Sequence, residues 1–300
     1  MRKEILFILL SFGTLNLHAQ IKKDQAFPQF KLDNTELRSI HSQSTGRDYL
    51  LYVGYPDSYF KHPEKKYPIV YTTDGYWNFN LTFTIGPGLW NHKQVPEYIV
   101  VGIGYAGENI NVGKERMYEL SPNNQDYGWA SWCDGKNCKM GGSRLFLDAI
   151  KKEIIPYVET NLHVDTSFRV LLGKSMGGLF SLYTMYEEPG LFNGIIAISP
   201  VVDWNHCWLF QRENELRFKV TDSNSRGIFS LHTKLYMAVG GAEDHQFIGC
   251  IKAMNEIILD AEYKDFDYEF KVIEGEDHES VSPESFNRGI RFVFNKTKNK

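Results

Sequence analysis

The sequence has little net charge and no long run of charges of one sign. Lys and Arg number 33 against 37 Asp and Glu, so the formal net charge is −4 at pH 7. Nucleic acids and anionic membrane surfaces are usually bound by basic patches or by blocks of like charge. The charge pattern therefore argues against a nucleic acid as the main partner and favours a small molecule or a polymer as the substrate.

A long apolar run is also missing. The run over residues 5–12 follows two basic residues and precedes a small residue at Ala19, whereas a helix that crosses a bilayer needs about 20 apolar residues. This pattern is typical of a secretory signal peptide. We therefore predict that residues 1–19 are a signal peptide, that residues 20–300 form the mature chain, and that the protein is periplasmic or secreted, without a stable membrane anchor.

Cysteine is scarce, with four residues in the chain. Cys133 and Cys138 flank an Asp-Gly pair that favours a turn, and an exported chain can hold them as a local disulfide. A zinc site needs further soft ligands at short spacing, and Cys207 and Cys250 provide no second short pair. We therefore predict no metal site and expect Cys207 and Cys250 to be buried.

Internal repeats and low-complexity linkers are absent, which favours a single domain over residues 20–300. Two strand-like runs, 36–41 and 49–54, flank a polar segment as in an antiparallel hairpin. Six short apolar runs of the kind found in strands buried on both faces follow at Pro68–Tyr71, Tyr98–Ile103, Phe168–Leu172, Ile195–Ile198, Lys234–Val239 and Phe270–Ile273.

Helical periodicity appears between these runs. It is clearest over residues 146–158 and 247–258, where apolar side chains recur at helical spacing. The alternation of strands and helices predicts an α/β fold, with a mostly parallel sheet and helices on both faces. The irregular stretches 109–142 and 201–226 are expected to form loops or lids over one end of the sheet.

A GxSxG motif over residues 173–177 follows one of the predicted strands and precedes an apolar helical segment. The motif alone is a weak signal, but at a strand-to-helix turn it lifts the hydroxyl of Ser175 out of the sheet. A phosphate-binding loop is less well supported, because GxGxxG is absent and Phe168 stands where a Walker loop needs its first glycine. We predict that Ser175 is a nucleophile and that no cofactor is required.

A serine nucleophile needs a histidine base and an acid, expected in the chain order Ser, acid, His. His278 lies after the last predicted strand and fits this order best. The other histidines downstream of Ser175 are His206, His232 and His245. The loop after the preceding predicted strand carries Glu243 and Asp244, and either carboxylate can orient an imidazole. Residue spacing alone does not separate these two candidates.

Backbone N–H groups are needed to hold the oxyanion that forms when an ester is attacked. Met176 supplies one from the start of the helix after Ser175. A second is expected from the loop after an early strand, where Gly75 or Tyr76 follows Asp74. The Asp-Gly pair in that loop can also be an ordinary turn.

Seven segments together resemble the putative esterase family (esterase D-like) of the α/β-hydrolase superfamily, and most of all its enterochelin-type siderophore esterases. The resemblance covers nearly the whole mature chain. The segments are 67–71 with Asp74-Gly75, 100–104, 153–158, the serine motif with Gly178-Leu179, Ile198-Ser199-Pro200, Val239-Gly240 with Glu243, and 276–281. Lys174 departs from the family pattern, in which a histidine usually precedes the serine.

The resemblance implies an α/β-hydrolase fold with Ser175 as nucleophile, His278 as base and Glu243 as acid, with Asp244 as the alternative acid. It also implies that Arg116 is a pocket arginine for an anionic or catecholate group. Tryptophans are candidates to line a site for aryl or sugar groups, although such residues more often pack in a core or a lid. They are Trp77, Trp90, Trp132, Trp204 and Trp208.

These features predict a serine carboxylic-ester hydrolase that forms an acyl-enzyme and acts on siderophore esters or polysaccharide-linked plant esters. An acyltransferase of the same fold and a non-catalytic ligand-binding relative are the alternatives. The sequence determines neither the ester nor the oligomeric state.

Overall fold

One eight-stranded sheet organises the fold. The computed structural model describes residues 31–124, 139–219 and 230–295, and the chain from Asn34 onward forms one compact unit. The strands are β1 (Thr35–Ser42), β2 (Arg47–Gly54), β3 (Tyr67–Thr72), β4 (Ile99–Tyr105), β5 (Val164–Lys174), β6 (Gly194–Ile198), β7 (Ser230–Gly240) and β8 (Lys264–Ile273). Their order across the sheet is β1-β2-β4-β3-β5-β6-β7-β8.

The sheet is mostly parallel, as predicted. β1 and β2 form the expected antiparallel hairpin, and β2 pairs antiparallel with β4. From β4 to β8 all neighbouring strands run parallel. Each apolar run identified in the sequence falls in one of these strands, with only Tyr98 outside.

Helices cover both faces of the sheet. They are α1 (Gly75–Thr84), α2 (Gly86–Trp90), α3 (Val112–Leu120), α4 (Ser143–Ala149), α5 (Ile155–Asn161), α6 (Met176–Glu187), α7 (Trp204–Lys219), α8 (His245–Asp260) and α9 (Ser282–Phe294). Gly289 of α9 lies so close to the sheet that a Cβ there would come within 2.7 Å of Ile196. Phe146 of α4 and Phe180 of α6 share the main core with Ile195. Ile195 and Ile196 are neighbours on β6, so their side chains point to opposite faces of the sheet. α9 therefore covers one face, and α4 and α6 cover the other.

The helix predicted over residues 146–158 contains one irregular turn. α4 continues through a π-helical turn, Ile150–Ile154, into α5. Pro156 lies in the first turn of α5, where it has no N–H to donate to the preceding turn. The wider π turn accommodates this missing hydrogen bond. All the apolar residues of the predicted pattern are buried, so the helical spacing identified the core-facing side chains correctly.

Both stretches expected to be loops contain helices. α3 lies in the first, and the Asn111 side chain at its start accepts a hydrogen bond from the Lys114 N–H at 3.0 Å. α7 lies in the second, but Asn205, His206 and Cys207 near its start have left-handed φ angles. The short length of α3 and the irregular start of α7 hide the helical period from the sequence.

Two predictions fall outside the described residues: the signal peptide over residues 1–19 and the disulfide between Cys133 and Cys138. In the part of the chain that the structure describes, no helix is both long enough and apolar enough to cross a bilayer.

A buried carboxyl group attaches α3 to the sheet. Glu119 of α3 is fully buried, and its Oε1 accepts a hydrogen bond from the Tyr49 hydroxyl of β2 at 2.6 Å. Arg47 Nε lies 3.6 Å from the same oxygen. Burial raises the pKa of Glu119 to about 7, although the Tyr49 hydrogen bond and the Arg47 charge act in the opposite direction. This contact positions the helix that carries Arg116.

We expect Glu119 to make the stability depend on pH between its ordinary pKa of 4.5 and about 7. The folded state binds the additional proton in this window, so stability falls as the pH rises through it. Glu119→Gln has no charge to bury and should remove this loss, which amounts to at most ~3 kcal/mol. Urea unfolding at about pH 5 and about pH 8 measures the difference.

Glu108→Gln is the control, because Glu108 is an exposed carboxyl group in the loop before the same helix. This control should keep the wild-type pH dependence. A Glu119→Gln variant with the same pH dependence as the wild type would contradict the role assigned to this carboxyl group.

Candidate active site

Ser175 occupies a strained turn between β5 and α6. Its backbone angles are φ 59° and ψ −121°, a region that residues other than glycine rarely adopt. Two hydrogen bonds hold the turn: the Ser175 N–H donates to the Ile198 carbonyl at 2.9 Å, and the Val201 N–H donates to the Ser175 carbonyl at 3.3 Å. The strand-to-helix turn expected from the sequence is therefore present, with Ser175 at its tip.

Glycine is required around Ser175 because other chain segments approach closely. A Cβ on Gly173 would lie 2.0 Å from the Gly177 carbonyl oxygen. A Cβ on Gly177 would lie 2.3 Å from the Thr73 hydroxyl oxygen in the loop after β3. Such distances are far inside van der Waals contact, so a side chain at either position would push the turn and the neighbouring loop apart.

Glu243 and His278 come from the loops after β7 and β8. The Glu243 Oε2 atom lies 2.7 Å from Nδ1 of the His278 ring. An ionised carboxylate only accepts hydrogen bonds, so Nδ1 donates in this contact. In a neutral ring Nε2 is then the unprotonated nitrogen, which can accept a proton.

The second oxygen of Glu243 is also fully engaged. Its Oε1 accepts hydrogen bonds from the Ser199 hydroxyl at 2.5 Å and from the Gly240 N–H at 2.8 Å. Burial alone would raise the pKa of Glu243, but the hydrogen bonds from His278, Ser199 and Gly240 outweigh burial and hold the pKa below its ordinary value. The carboxylate is therefore ionised at neutral pH.

Asp244, the other carboxylate of this loop, has different partners. Its Oδ1 accepts hydrogen bonds from the backbone N–H groups of Gln246 and Phe247 at 2.9 and 3.1 Å, which caps the start of α8. The geometry thus distinguishes the two carboxylates, whose roles residue spacing left undecided. Glu243 contacts His278, whereas Asp244 caps a helix.

Ser175 and His278 line two cavities that share part of their walls. The first is about 430 Å³, and its apolar lining residues are Met117, Met176, Val201 and Phe247. The second is about 450 Å³ and has a mixed lining that includes Asp74, Trp77, Leu81 and Lys174. Arg116 belongs to both walls. The serine hydroxyl therefore has room for an organic group on each side.

The loop between β3 and α1 lies against the turn that holds Ser175. Asp74 precedes α1 with φ 53°, and its carbonyl accepts hydrogen bonds from two N–H groups further along the helix. Gly75 and Tyr76 are the first two residues of α1, and Met176 is the first residue of α6. Their N–H groups have no acceptor within their own helices. Two helix N-termini are thus close to the serine.

Arg116 of α3 holds this loop through Asp74. Its Nε and Nη2 atoms donate to the two carboxylate oxygens of Asp74 at 2.8 and 2.9 Å, a bidentate pair. The guanidinium also lies over the ring of Trp77, 5.6 Å from its centroid. Burial opposes the charge, but Asp74 outweighs it and raises the pKa of Arg116. Arg116 is therefore at the cleft, already paired with a carboxylate.

Three further side chains touch the site and were not identified from the sequence as site residues. The Phe247 ring packs edge-on against His278, with centroids 5.6 Å apart. Lys174 Nζ lies 3.3 Å from Glu279 Oε2, next to that histidine. Ser199 donates to Glu243, as described above. Ser199 directly follows β6, and the carboxyl ends of parallel strands meet at one edge of a sheet. This position was the signal in the sequence that could have identified Ser199 as a site residue.

The tryptophans have different environments. Trp77 is 51% exposed and lines the second cavity. Trp204 is only 2% exposed, and its indole N–H donates to Asn123 Oδ1 at 3.1 Å. Trp204 therefore supports the loop after β6, and its expected substrate contact stays a prediction. Trp90 is in the core, and Trp132 lies outside the described residues.

We expect Ser175→Gly to stabilise the fold, because glycine adopts the positive φ of this turn without steric cost. The expected gain in the free energy of unfolding is about 1 kcal/mol. Ser181→Gly is the contrasting variant in the interior of α6. Glycine there lowers helix propensity and removes the buried hydrogen bond from the Ser181 hydroxyl to the Gly177 carbonyl, so it should cost at least about 1 kcal/mol. Urea unfolding of the three proteins measures both changes. If Ser175→Gly destabilises the protein as Ser181→Gly does, the turn is not strained.

Comparison with known sequences identifies the family. The model of the family described as "Putative esterase" matches residues 42–281. The ferri-bacillibactin esterase BesA of Bacillus subtilis (strain 168) is 25% identical over 273 residues, which cover 88% of this chain and 91% of that protein. The siderophore enterobactin esterase of Emericella nidulans is 33% identical over 112 residues, 36% of this chain and 37% of that protein.

Solved structures agree on the fold. The crystal structure of the BES protein from Bacillus cereus matches with a TM-score of 0.77 and 27% identity, covering 91% of this chain and 100% of that chain. The siderophore hydrolase EstB from Aspergillus nidulans matches with a TM-score of 0.70 and 22% identity, covering 89% of this chain and 97% of that chain. The chain thus has the α/β-hydrolase fold and belongs to the Putative esterase family of carboxylic ester hydrolases.

Proposed function

We propose that this chain is a serine esterase that works through an acyl-enzyme. Ser175 Oγ attacks the ester carbonyl carbon while His278 Nε2 takes its proton, and His278 then protonates the departing alkoxide. Water, deprotonated by the same histidine, attacks the acyl-enzyme and releases the acid and the free serine. Glu243 orients the imidazole and stabilises its protonated form. The observation that carries the proposal is the 2.7 Å contact between Glu243 and His278 in a cleft that Ser175 also lines.

The oxyanion is held, in this proposal, by N–H groups at two helix starts. Met176 supplies one, and Gly75 or Tyr76 supplies the other. The close contact between Gly177 and Thr73 supports this pairing, because it brings the loop before α1 against the first turn of α6. Helix N-termini carry partial positive charge, which favours an anionic oxygen.

We propose siderophore esters as the substrate class. Two similar proteins, the ferri-bacillibactin esterase BesA and the siderophore enterobactin esterase, support this class by their names. The second cavity adds a chemical argument, because it combines the half-exposed Trp77 ring with the cations Arg116 and Lys174. The ring suits an aromatic acyl group, which can stack on it. Each cation is paired with a carboxylate of the same cavity, Arg116 with Asp74 and Lys174 with Glu279.

We further propose that residues 1–19 are removed on export, and that the chain from residue 20 acts as a single domain outside the cytoplasm. The basic, apolar and small-residue pattern at the start of the sequence supports export. Transfer of the acyl group to an alcohol instead of water is the alternative chemistry, and product analysis with an added alcohol distinguishes the two.

Removing Ser175 should abolish hydrolysis and leave the fold intact. We expect Ser175→Ala to lower kcat on p-nitrophenyl acetate by at least about a thousandfold and to lose labelling by a fluorophosphonate probe. Glu243→Gln should lower kcat roughly a hundredfold or more, because the imidazole loses the charge that stabilises its protonated form.

Asp244→Asn is the matched control for Glu243→Gln, since Asn can still cap α8. Its kcat should stay close to that of the wild type. A larger loss in Asp244→Asn than in Glu243→Gln would overturn the assignment of the acid. Wild-type turnover by Ser175→Ala would overturn the proposed nucleophile.

Arg116 should contribute to both loop position and substrate charge, and two variants separate these effects. Arg116→Lys keeps a cation but loses the bidentate contact with Asp74, whereas Arg116→Gln loses both. We expect both variants to lower kcat on neutral p-nitrophenyl acetate about tenfold, because the loop with Gly75 is less well held. Only Arg116→Gln should also raise KM for an anionic ferric siderophore ester.

The substrate class is tested with the same proteins. The wild type should have a higher kcat/KM on ferric or apo enterochelin than on methyl ferulate or acetylated xylan. A preference for acetylated xylan would make polysaccharide esters the substrate class instead of siderophore esters. It would not affect the proposed mechanism. Equal KM values for the ferric substrate in both Arg116 variants would rule out charge recognition by this residue.

A further inference from the structure

The end of β6 and the loop after it contact both Ser175 and Glu243. The Ile198 carbonyl accepts a hydrogen bond from the Ser175 N–H at 2.9 Å, and the Val201 N–H donates to the Ser175 carbonyl at 3.3 Å. Ser199 lies between these two residues, and its hydroxyl donates to Glu243 Oε1 at 2.5 Å. One short segment therefore joins the turn that carries Ser175 to the carboxylate.

The backbone of Ser199 has an unusual conformation. Its φ angle is 42°, and residues other than glycine keep such an angle only where their surroundings hold it. The Ser199 N–H donates to the Ala238 carbonyl of β7 at 2.7 Å, and the residue is fully buried. The surrounding structure therefore fixes the hydroxyl, and a substrate does not reach it.

Glu243 Oε1 has one donor from its own loop and one from a distant segment. The Gly240 N–H, three residues before Glu243, donates to this oxygen at 2.8 Å, whereas Ser199 donates from the loop after β6. The other carboxylate oxygen lies 2.7 Å from His278 Nδ1. Ser199 is thus the contact that relates the carboxylate, and through it the imidazole, to the segment that holds Ser175.

We propose that Ser199 is a positioning residue for ester hydrolysis. It fixes the Glu243 carboxylate, and with it the His278 imidazole, at the separation from Ser175 that proton transfer requires. This role rests on the serine-esterase function proposed above. Small displacements of reacting groups slow a reaction strongly, so a loss of this contact should lower the rate without changing which groups react.

The same hydroxyl helps to keep the carboxylate ionised. Burial raises the pKa of Glu243, but hydrogen bonds from His278, Ser199 and Gly240 outweigh burial and lower it. Without the Ser199 donor, the carboxylate and the imidazole as a pair should take up a proton at higher pH. Catalysis needs an unprotonated Nε2, so the acid limb of kcat/KM should move to higher pH. The charged groups near the pair, all kept in the variants below, are Arg116, Lys174, Asp203, Asp244, Asp277 and Glu279.

Ser199→Ala removes the hydroxyl and tests the proposal. We expect kcat on p-nitrophenyl acetate to fall about tenfold with KM unchanged, because the serine is buried away from the substrate. The acid limb of kcat/KM should move up by roughly half a pH unit. Ser58→Ala is the matched control, since the Ser58 hydroxyl also donates to a carboxylate, Glu97 Oε2, at 2.7 Å, but before the amino ends of β3 and β4. It should keep the wild-type kcat and pH profile.

Two further comparisons separate positioning from a loss of stability. Ser199→Gly loses the same hydroxyl but relieves the positive φ, so it should resist urea better than Ser199→Ala and show the same shift of the acid limb. In a Glu243→Ala background no carboxylate remains to be positioned, so adding Ser199→Ala should cause little further loss of kcat.

Three results would contradict the proposal, and they differ in what they leave standing. A wild-type kcat and acid limb in Ser199→Ala, alongside the expected loss in Glu243→Gln, would overturn the role of Ser199 and leave the mechanism intact. A further tenfold loss in the Glu243→Ala background would show that Ser199 does not act through the carboxylate. A wild-type kcat in Glu243→Gln would refute the assigned acid itself, and the role of Ser199 with it.

Discussion

The close contact between the turn at Ser175 and the loop after β3 is the constraint on which the rest of the site depends. Gly177 and Thr73 approach each other so closely that no side chain fits at the glycine. This contact brings the start of α1 against the start of α6, and with it two sets of N–H groups without intrahelical acceptors. The strained backbone of Ser175 is stable only because β5, β6 and α6 hold it from three sides.

The second organising feature is a buried charge whose hydrogen bonds are complete. Glu243 is nearly inaccessible to solvent, and burying an isolated carboxylate is costly. Here His278, Ser199 and the Gly240 N–H supply one contact each, from the loop after β8, the loop after β6 and the end of β7. The carboxylate therefore connects the ends of β6, β7 and β8, and it fixes the orientation of the imidazole at the same time.

The walls of the cleft come from segments outside the sheet, whereas the turn at Ser175 lies directly between a strand and a helix. α3 lines the cleft through Arg116 and Met117, and Val201 lines it just before α7. Buried apolar side chains hold both helices, together with one polar contact each: Glu119 with Tyr49 for α3, and Trp204 with Asn123 for α7. In general, sites built on loops over a rigid scaffold vary in their loops while the scaffold is kept.

Sequence patterns alone predicted the α/β class, the order of the eight strands along the chain and the position of Ser175, because apolar runs, helical periods and glycine spacing are local properties. The expected chain order of serine, acid and histidine pointed to His278, and the family resemblance added the preference for Glu243 over Asp244. The order of the strands across the sheet, the cap formed by Asp244, the pairing of Arg116 with Asp74 and the hydrogen bond from Ser199 to Glu243 required the tertiary structure. Each of these depends on packing or on contacts between particular atoms, and most join residues distant in the chain, which no local pattern specifies.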